Sequence, residues 1–472
     1  MPPLKFLSDE DLKAMHEATL QVLQEAGVFW THKPSLEILQ DAGCTVKDNR
    51  VYFPQDLVMD SIAKSGKRPV IRGRNGQVNE LGAGGLYFHN LGGARDIFDA
   101  RTGTRRIATD QDVIDSTRLL DALPNAHTVT PFFTPQDVPG ELMSLYMFRH
   151  CLPHTTKPVQ GPGIQFAEEV KYAVEMANVI GIPAGELTLS LSPVSPLTIH
   201  DHAAAAVIEM AKANVISSNL PCPIGGATSP MTITGSVVQQ SAETLSLLVL
   251  AQIVNPGCAF IYCGRLAHLE PRTGLLWGGV ELGLSSAATV QLGHYYGFSV
   301  NVYGFSTNAH TLDAQNAFER GLNAAIPALA GADELSGIGE MEAGVMGSLA
   351  QMVLDNELVG SVMRLRKGLS ADTEHLAVGI ILDVMNGTRN FLGQKHTMKH
   401  LRGGELALTK FAERNSWDTW DEKLERKQMA DYAIDEAERI LREHEVPPLE
   451  PEQEKELDRI MAAAEAEMVK KK

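Results

Sequence analysis

The run AFIYCGRLAHLEPRTGLLWGGVELGLSSAATVQLGHYYGFSVNVYG, residues 259–304, holds a complete structural unit. Its apolar opening, Ala259–Gly264, has the length of a strand. A turn bearing Gly and Pro follows, then a helical pattern at Gly279–Tyr296 and a second short strand at Ser299–Gly304. The same alternation runs from Asp110 through most of the chain. Strands are expected at His127–Phe133, Lys157–Gly161, Leu187–Ser192, Cys222–Gly226, Ala259–Gly264, Ser299–Gly304, Glu334–Gly339 and Phe391–Thr397. Helices fall between them, among them Gly235–Val254, Asp313–Leu329 and Ser348–Arg366, with an extra one at Asp372–Met385. Eight strands alternating with helices point to an α/β fold, a (β/α)8 TIM barrel over residues 110–410; a doubly wound sheet is the competing arrangement.

Ahead of the barrel, Ser8 caps a helix with an acidic first turn, Leu12, Met15, Leu20 and Leu23 recur at helical spacing, and Gly27 stops it. Short helices at Pro34–Ala42 and Phe53–Ser65 complete an N-terminal helical segment, residues 1–65. Residues 66–109 turn Gly-rich with short apolar alternations, the texture of a small β insert built from hairpins. The charged tail, residues 411–472, ends in EAEMVKKK and reads as an exposed helix with a frayed end.

Composition limits the function. At 44% hydrophobic and 21% charged, the 472 residues describe an ordinary globular chain. With 41 Lys and Arg against 58 Asp and Glu, the net charge of −17 opposes any grip on phosphate backbones, so no nucleic acid partner is expected. No apolar run approaches the ~18 residues that span a bilayer, and the N-terminus lacks a signal-peptide pattern. No membrane partner and a cytoplasmic location follow as expectations. Five cysteines without a CxxC fit a reducing compartment, and no Cys/His pairing supports zinc near Cys222, Cys258 or Cys263, so no metal site is expected. P-loop, GxGxxG, GxSxG and HExxH patterns are absent from the sequence.

Barrels keep their chemistry at the C-terminal ends of the strands. Here those ends supply Thr130–Phe133, Gln160–Pro162, Ser190–Pro193, Gly225–Thr228, Tyr262–Gly264, Tyr303–Ser306 and Gly337–Glu340, rich in rings, hydroxyls and small residues. Such a mouth suits a cation held by ring faces; equally, the rings plug the barrel. Gly84–Gly93 sets His89 and Asn90 between glycines, either a loop over the site or a turn whose side chains satisfy backbone groups.

These residues carry a resemblance. Asn90-Leu91-Gly92-Gly93, Thr156-Lys157-Pro158, Ser192-Pro193-x-Ser195-Pro196-Leu197, Gly225-Gly226-Ala227-Thr228-Ser229-Pro230, Leu354-Asp355-Asn356-Glu357 and Phe391-Leu392-Gly393-x-x-His396-Thr397 resemble the trimethylamine methyltransferase superfamily. The likeness runs over nearly the whole chain. It implies a TIM barrel and a corrinoid-dependent methyltransferase. Archaeal trimethylamine enzymes of the superfamily carry a pyrrolysine late in the barrel, whereas the matching neighbourhood here, Gly337–Gly347, has standard residues only. That implies a non-pyrrolysine member acting on a quaternary amine, with glycine betaine the foremost candidate and dimethylglycine its product.

The implied reaction is an in-line displacement in which Co(I) of a corrinoid (cobalamin) takes a methyl carbon and a neutral tertiary amine departs. The corrinoid comes from a partner corrinoid protein, so no tightly bound cofactor is expected; a homo-oligomer is. Tyr87, Phe88, Phe133, Tyr262, Tyr303 and Phe305 are the cage candidates for the ammonium. His89, Asn90 and Arg95 are candidates for a betaine carboxylate, and His310 and Glu340 stand just past strand ends. Two other readings stay open: a non-catalytic betaine-binding homologue, and a barrel lyase or aldolase using a Lys Schiff base, for which Lys157 is the near candidate.

Overall fold

The computed structural model describes residues 2–469; Lys470–Lys472 of the tail lie outside them. Seven strands form one all-parallel sheet: β1 (Tyr87–Asn90), β2 (Gln160–Gly163), β3 (Thr188–Leu191), β4 (Ile216–Asn219), β5 (Phe260–Gly264), β6 (Val300–Tyr303) and β7 (Glu334–Ile338). Their spatial order is β1-β7-β6-β5-β4-β3-β2. The sheet curls, and residues 128–129 bridge its two edges through isolated parallel pairings, His89 with Thr128 and Val129 with Val159.

The unit at 259–304 takes the expected form, β5, a helix at Val280–Tyr295 and β6, with Tyr262 opposite Val300 and Gly264 opposite Val302. Helices Ile233–Val254, Val280–Tyr295, Ala314–Ala330 and Leu349–Lys367 cover the sheet's outer side. Ile233–Val254 is long and apolar enough to cross a membrane, but most of it is buried within the fold.

Four strand expectations need correction. His127–Phe133 forms no ladder, only the isolated bridges of Thr128, Val129 and Phe133. Cys222–Gly226 is not a strand of the main sheet: Pro221 and Pro223 lack the N–H a ladder needs, and only Ile224–Gly225 pairs, in a small separate sheet with Ala267–Leu269. The strand there is Ile216–Asn219, whose sequence ISSN looks like a turn because its polar side chains face the interior. Phe391–Thr397 forms no strand either. Phe391 and Leu392 are exposed, and the chain winds into a helix at Lys395–Arg402. The missing position belongs to β1, which had been assigned to the insert; its YFHN pairs with β7, Phe88 opposite Leu335. Helix Asp372–Met385 is broken at Ala377, where φ is 49°, into Thr373–Leu376 and Val378–Asn386.

The N-terminal helix begins as read, with Ser8 and Asp11 exchanging backbone and side-chain bonds in a capping box, and Gly27 turning at φ 66°. The tail differs. Met429–Glu443 buries Ala433, Ala437 and Ile440, and Pro451–Met468 buries Leu457, Ile460 and Ala464. Arg101 to Glu438 and Arg149 to Glu454 pin these helices to the body.

Candidate active site

A cavity of about 520 Å³ opens where the strands end. Its lining draws on every strand of the sheet except β5, which gives instead the residue just past its end, Arg265. His89 and Asn90 come from β1 with Leu91 just past its end, Gln160 from β2, Thr188 and Ser190 from β3, Ser218 from β4, Asn301 and Tyr303 from β6, and Ser336 from β7. Thr130 comes from the bridging segment, and His200, His202, Met143 and Met147 form part of the wall. No carboxylate and no lysine is among the lining residues.

A buried polar chain runs beneath the cavity. Gln160 Nε2 donates to Glu334 Oε1 at 3.0 Å, and Asn301 Nδ2 donates to Glu334 Oε2 and to His89 Nε2, each at 2.9 Å. Asn301 Oδ1 accepts from Arg265 Nη2 at 2.6 Å, while Arg265 Nη1 reaches the carbonyls of Gly264 and Asn301 at 3.0 Å. The guanidinium stands 5.0 Å over the Tyr303 ring. His89 accepts at Nε2, so its proton sits on Nδ1 and goes to Asn90 O at 2.8 Å. Burial, reinforced by the Arg265 charge, pushes this imidazole down to about 4, so it is neutral at pH 7. Burial lifts the Glu334 carboxyl to about 7, and also raises the Tyr303 phenol.

The sequence candidates therefore scatter. His89, Asn90 and Tyr303 line the cavity. Asn90 spends its amide as a clamp, donating to Leu91 O and Thr130 O at 2.6 Å and accepting from Thr130 N at 2.9 Å. Phe88 and Phe305 pack edge to face in the core, and Phe133 lies against Phe132. Tyr262 is buried on the helix side, against Tyr296 and Phe298. The Tyr87 hydroxyl meets the backbone of Glu80. Arg95, 60% exposed, pairs with Asp96, and His310, 71% exposed, faces Glu342. Glu340 is buried outside the cavity lining, with Oε1 accepting from Ser306 at 2.8 Å and burial raising it to about 7. Of the six proposed cage rings, only Tyr303 reaches the cavity.

Lys157 has no place there. Its ammonium donates to the carbonyls of Leu120, Leu123 and Ala126 at 2.5–2.8 Å, a structural plug that leaves no amine for a Schiff base in the cavity. Arg265 is the residue the sequence reading missed. It directly follows the Tyr262-Cys263-Gly264 strand end and was within reach of the rule that loops after strands build the site.

A trimethylamine methyltransferase (MTTB) family profile matches residues 1–469. A trimethylamine methyltransferase of Desulfitobacterium hafniense is 30% identical over 94% of this chain and 90% of its own length. A glycine betaine methyltransferase of Desulfitobacterium hafniense (strain Y51) is 27% identical over 98% and 97%. In solved structures, the monomethylamine methyltransferase of Methanosarcina barkeri shares the fold at a TM-score of 0.50 and 14% identity, covering 93% of this chain and 94% of that one. With a profile match over almost all of its length, the chain belongs to the trimethylamine methyltransferase family and is a methyltransferase.

Proposed function

We propose that this enzyme removes a methyl group from a carboxylated quaternary amine, with glycine betaine the first candidate, and passes it to a corrinoid carried by a separate protein. One observation carries the substrate reading: a buried guanidinium, Arg265, stands in a cavity lined by no carboxylate. An anion is the natural partner for that charge, and trimethylammonium has none to offer. A zwitterion brings its own compensation.

The lining also fits the reaction. Departure of a neutral amine from a quaternary nitrogen needs no general base, and neither an ionised carboxylate nor a lysine is present to supply one. Arg265 holds the carboxylate, Asn301 fixes Arg265, and neutral His89 fixes Asn301. The Tyr303 ring, already faced by Arg265, gives the ammonium only modest cation–π attraction. That suits catalysis, because tight binding of the charged ground state would be lost as charge leaves nitrogen. Met143, Met147 and Leu91 help to exclude water, and a fixed carboxylate points one methyl along a constant direction. The corrinoid supplies the cobalt that accepts the methyl group. It would be met on the exposed side of the lining, for which Gly92 and Gly93 are the candidates.

The curled sheet is read in the same proposal as a (β/α)8 barrel, with residues 128–129 as its remaining position; the two parallel bridges support this. The substrate reading is tested by calorimetric titration of the whole chain with glycine betaine, choline and trimethylamine. Glycine betaine is expected to bind at least about tenfold more tightly than choline, which lacks the carboxylate. Equal affinities would sink the role of the anion.

A further inference from the structure

Residues 369–408 follow helix Leu349–Lys367 and hold two short helices and a third at Lys395–Arg402. Among their apolar side chains only Val384 is buried, while Leu369, Leu382 and Leu392 stand more than half exposed. A segment this poor in core needs another tie to hold a fixed shape. It contains a compact group of ligating side chains. One ligand atom from each of His375, His400 and Glu405 lies within 4.8 Å of the others.

The surroundings suit a metal ion once Arg364 Nη2, now 3.3 Å from Glu405 Oε1, swings aside. Asp372 holds His375 Nδ1 at 2.8 and 2.9 Å through its two carboxylate oxygens, fixing the ring so that Nε2 is presented, as carboxylates do behind metal-bound histidines. His400 is crowded by two other imidazoles, with ring centroids 5.0 Å from His375 and 4.2 Å from His396. Its Nε2 is buried and makes no hydrogen bond among the described residues, although Glu374 Oε1 stands 3.3 Å away. Two imidazoles and a carboxylate form a set that binds zinc and its neighbours, with a position left for water. Bonds of about 2.0–2.1 Å need ligand atoms roughly 3.4 Å apart, a closure that rotation of these partly exposed side chains can supply.

We propose that His375, His400 and Glu405 bind one divalent transition-metal ion of the zinc class, and that the ion clamps residues 369–408 into one piece. His375 and Glu405 come from separate turns of the segment, so the ion closes a loop that the apolar contacts leave open. This site is far in sequence from the residues lining the cavity and does not depend on the substrate.

The test uses the full chain, free of any histidine tag and stripped with a chelator, titrated with Co2+ and then Zn2+. One equivalent of Co2+ is expected to give visible ligand-field absorption that Zn2+ displaces. The His375→Ala and His400→Ala variants, both altered at partly exposed side chains, should lose saturable binding while keeping their circular dichroism. Asp372→Asn should weaken binding about tenfold. Bound Zn2+ should also slow proteolysis within 369–408. No stoichiometric binding by the intact chain, or undiminished binding in both histidine variants, overturns the proposal.

Discussion

Replacing Arg265 with Met is expected to weaken glycine betaine binding by about 2–4 kcal/mol, roughly 30- to 1,000-fold, by removing a desolvated charge from the cavity. Trimethylamine affinity should stay level or improve, because the change deletes a repelling cation. The Arg265→Lys variant should fall between: it keeps the charge but loses the fork that grips Asn301 and its carbonyls. The same substitution bears on pH. Glu334 titrates near 7 in the folded chain, against an ordinary value near 4.5, because burial opposes its charge while Asn301, Gln160 and Arg265 favour it. Its folded pKa is the higher one, so its contribution to stability is whole below about 4.5 and is lost as pH rises through about 7. Below 7 the acid is neutral and Arg265 is free to attract an anion. Above 7 the Glu334 charge offsets it through Asn301, so betaine binding should weaken by up to about tenfold between pH 6 and pH 8. Glu334→Gln should flatten that profile; an unchanged slope would remove Glu334 from the account.

The Arg320→Met variant is expected to cost about 3–5 kcal/mol of stability, read as a lowered urea midpoint. Arg320 and Asp355 form an ion pair with 1% of each side chain exposed. Arg320 also donates to the carbonyls of Gly337 and Glu340, and Asp355 accepts from Gly339 N at 2.7 Å and Gln351 Nε2 at 2.9 Å. Gly337 and Gly339 adopt φ of 116° and 84°, so the turn leaving β7 is bent tightly around this pair. Removing the cation strands a buried carboxylate and bares two carbonyls. The double variant Arg320→Met with Asp355→Leu should recover much of the loss, since neither charge is then left alone. No recovery would show that the pair shapes the turn rather than balancing charge.

The legible parts of this fold were those whose burial is visible as a long apolar run or as periodicity. Val280–Tyr295 is long and apolar on almost every face, Ala314–Ala330 is long and capped by Asp313, and both were in view, as were the strands with apolar centres such as Phe260–Gly264. The strands that escaped, Tyr87–Asn90 and Ile216–Asn219, place polar side chains in a buried interior, and YFHN and ISSN carry no alternation of the usual kind. Phe391–Thr397 misled for the opposite reason: an apolar start without a sheet to join. Site residues followed the same logic. Tyr303 could be found because it closes a strand, and His89 because it stands between glycines in a segment read as a loop or turn. The other rings also sit near strand ends, but period-two alternation turns Phe88 into the core and Tyr262 toward the helices, which strand ends alone do not reveal. Arg265 lies one residue beyond a strand. The histidines of the surface group, His375 and His400, lie on separate helices and carry no ligand spacing in the sequence.

The most direct test of the central claim is an anaerobic incubation of the purified chain with free Co(I) cobalamin and glycine betaine, with the amine products measured by mass spectrometry. Dimethylglycine formed in step with loss of the Co(I) spectrum, and absent without the protein, is the predicted result. Glycine betaine returned intact, while calorimetry shows that the chain binds it, would contradict the account and leave a betaine-binding homologue in its place.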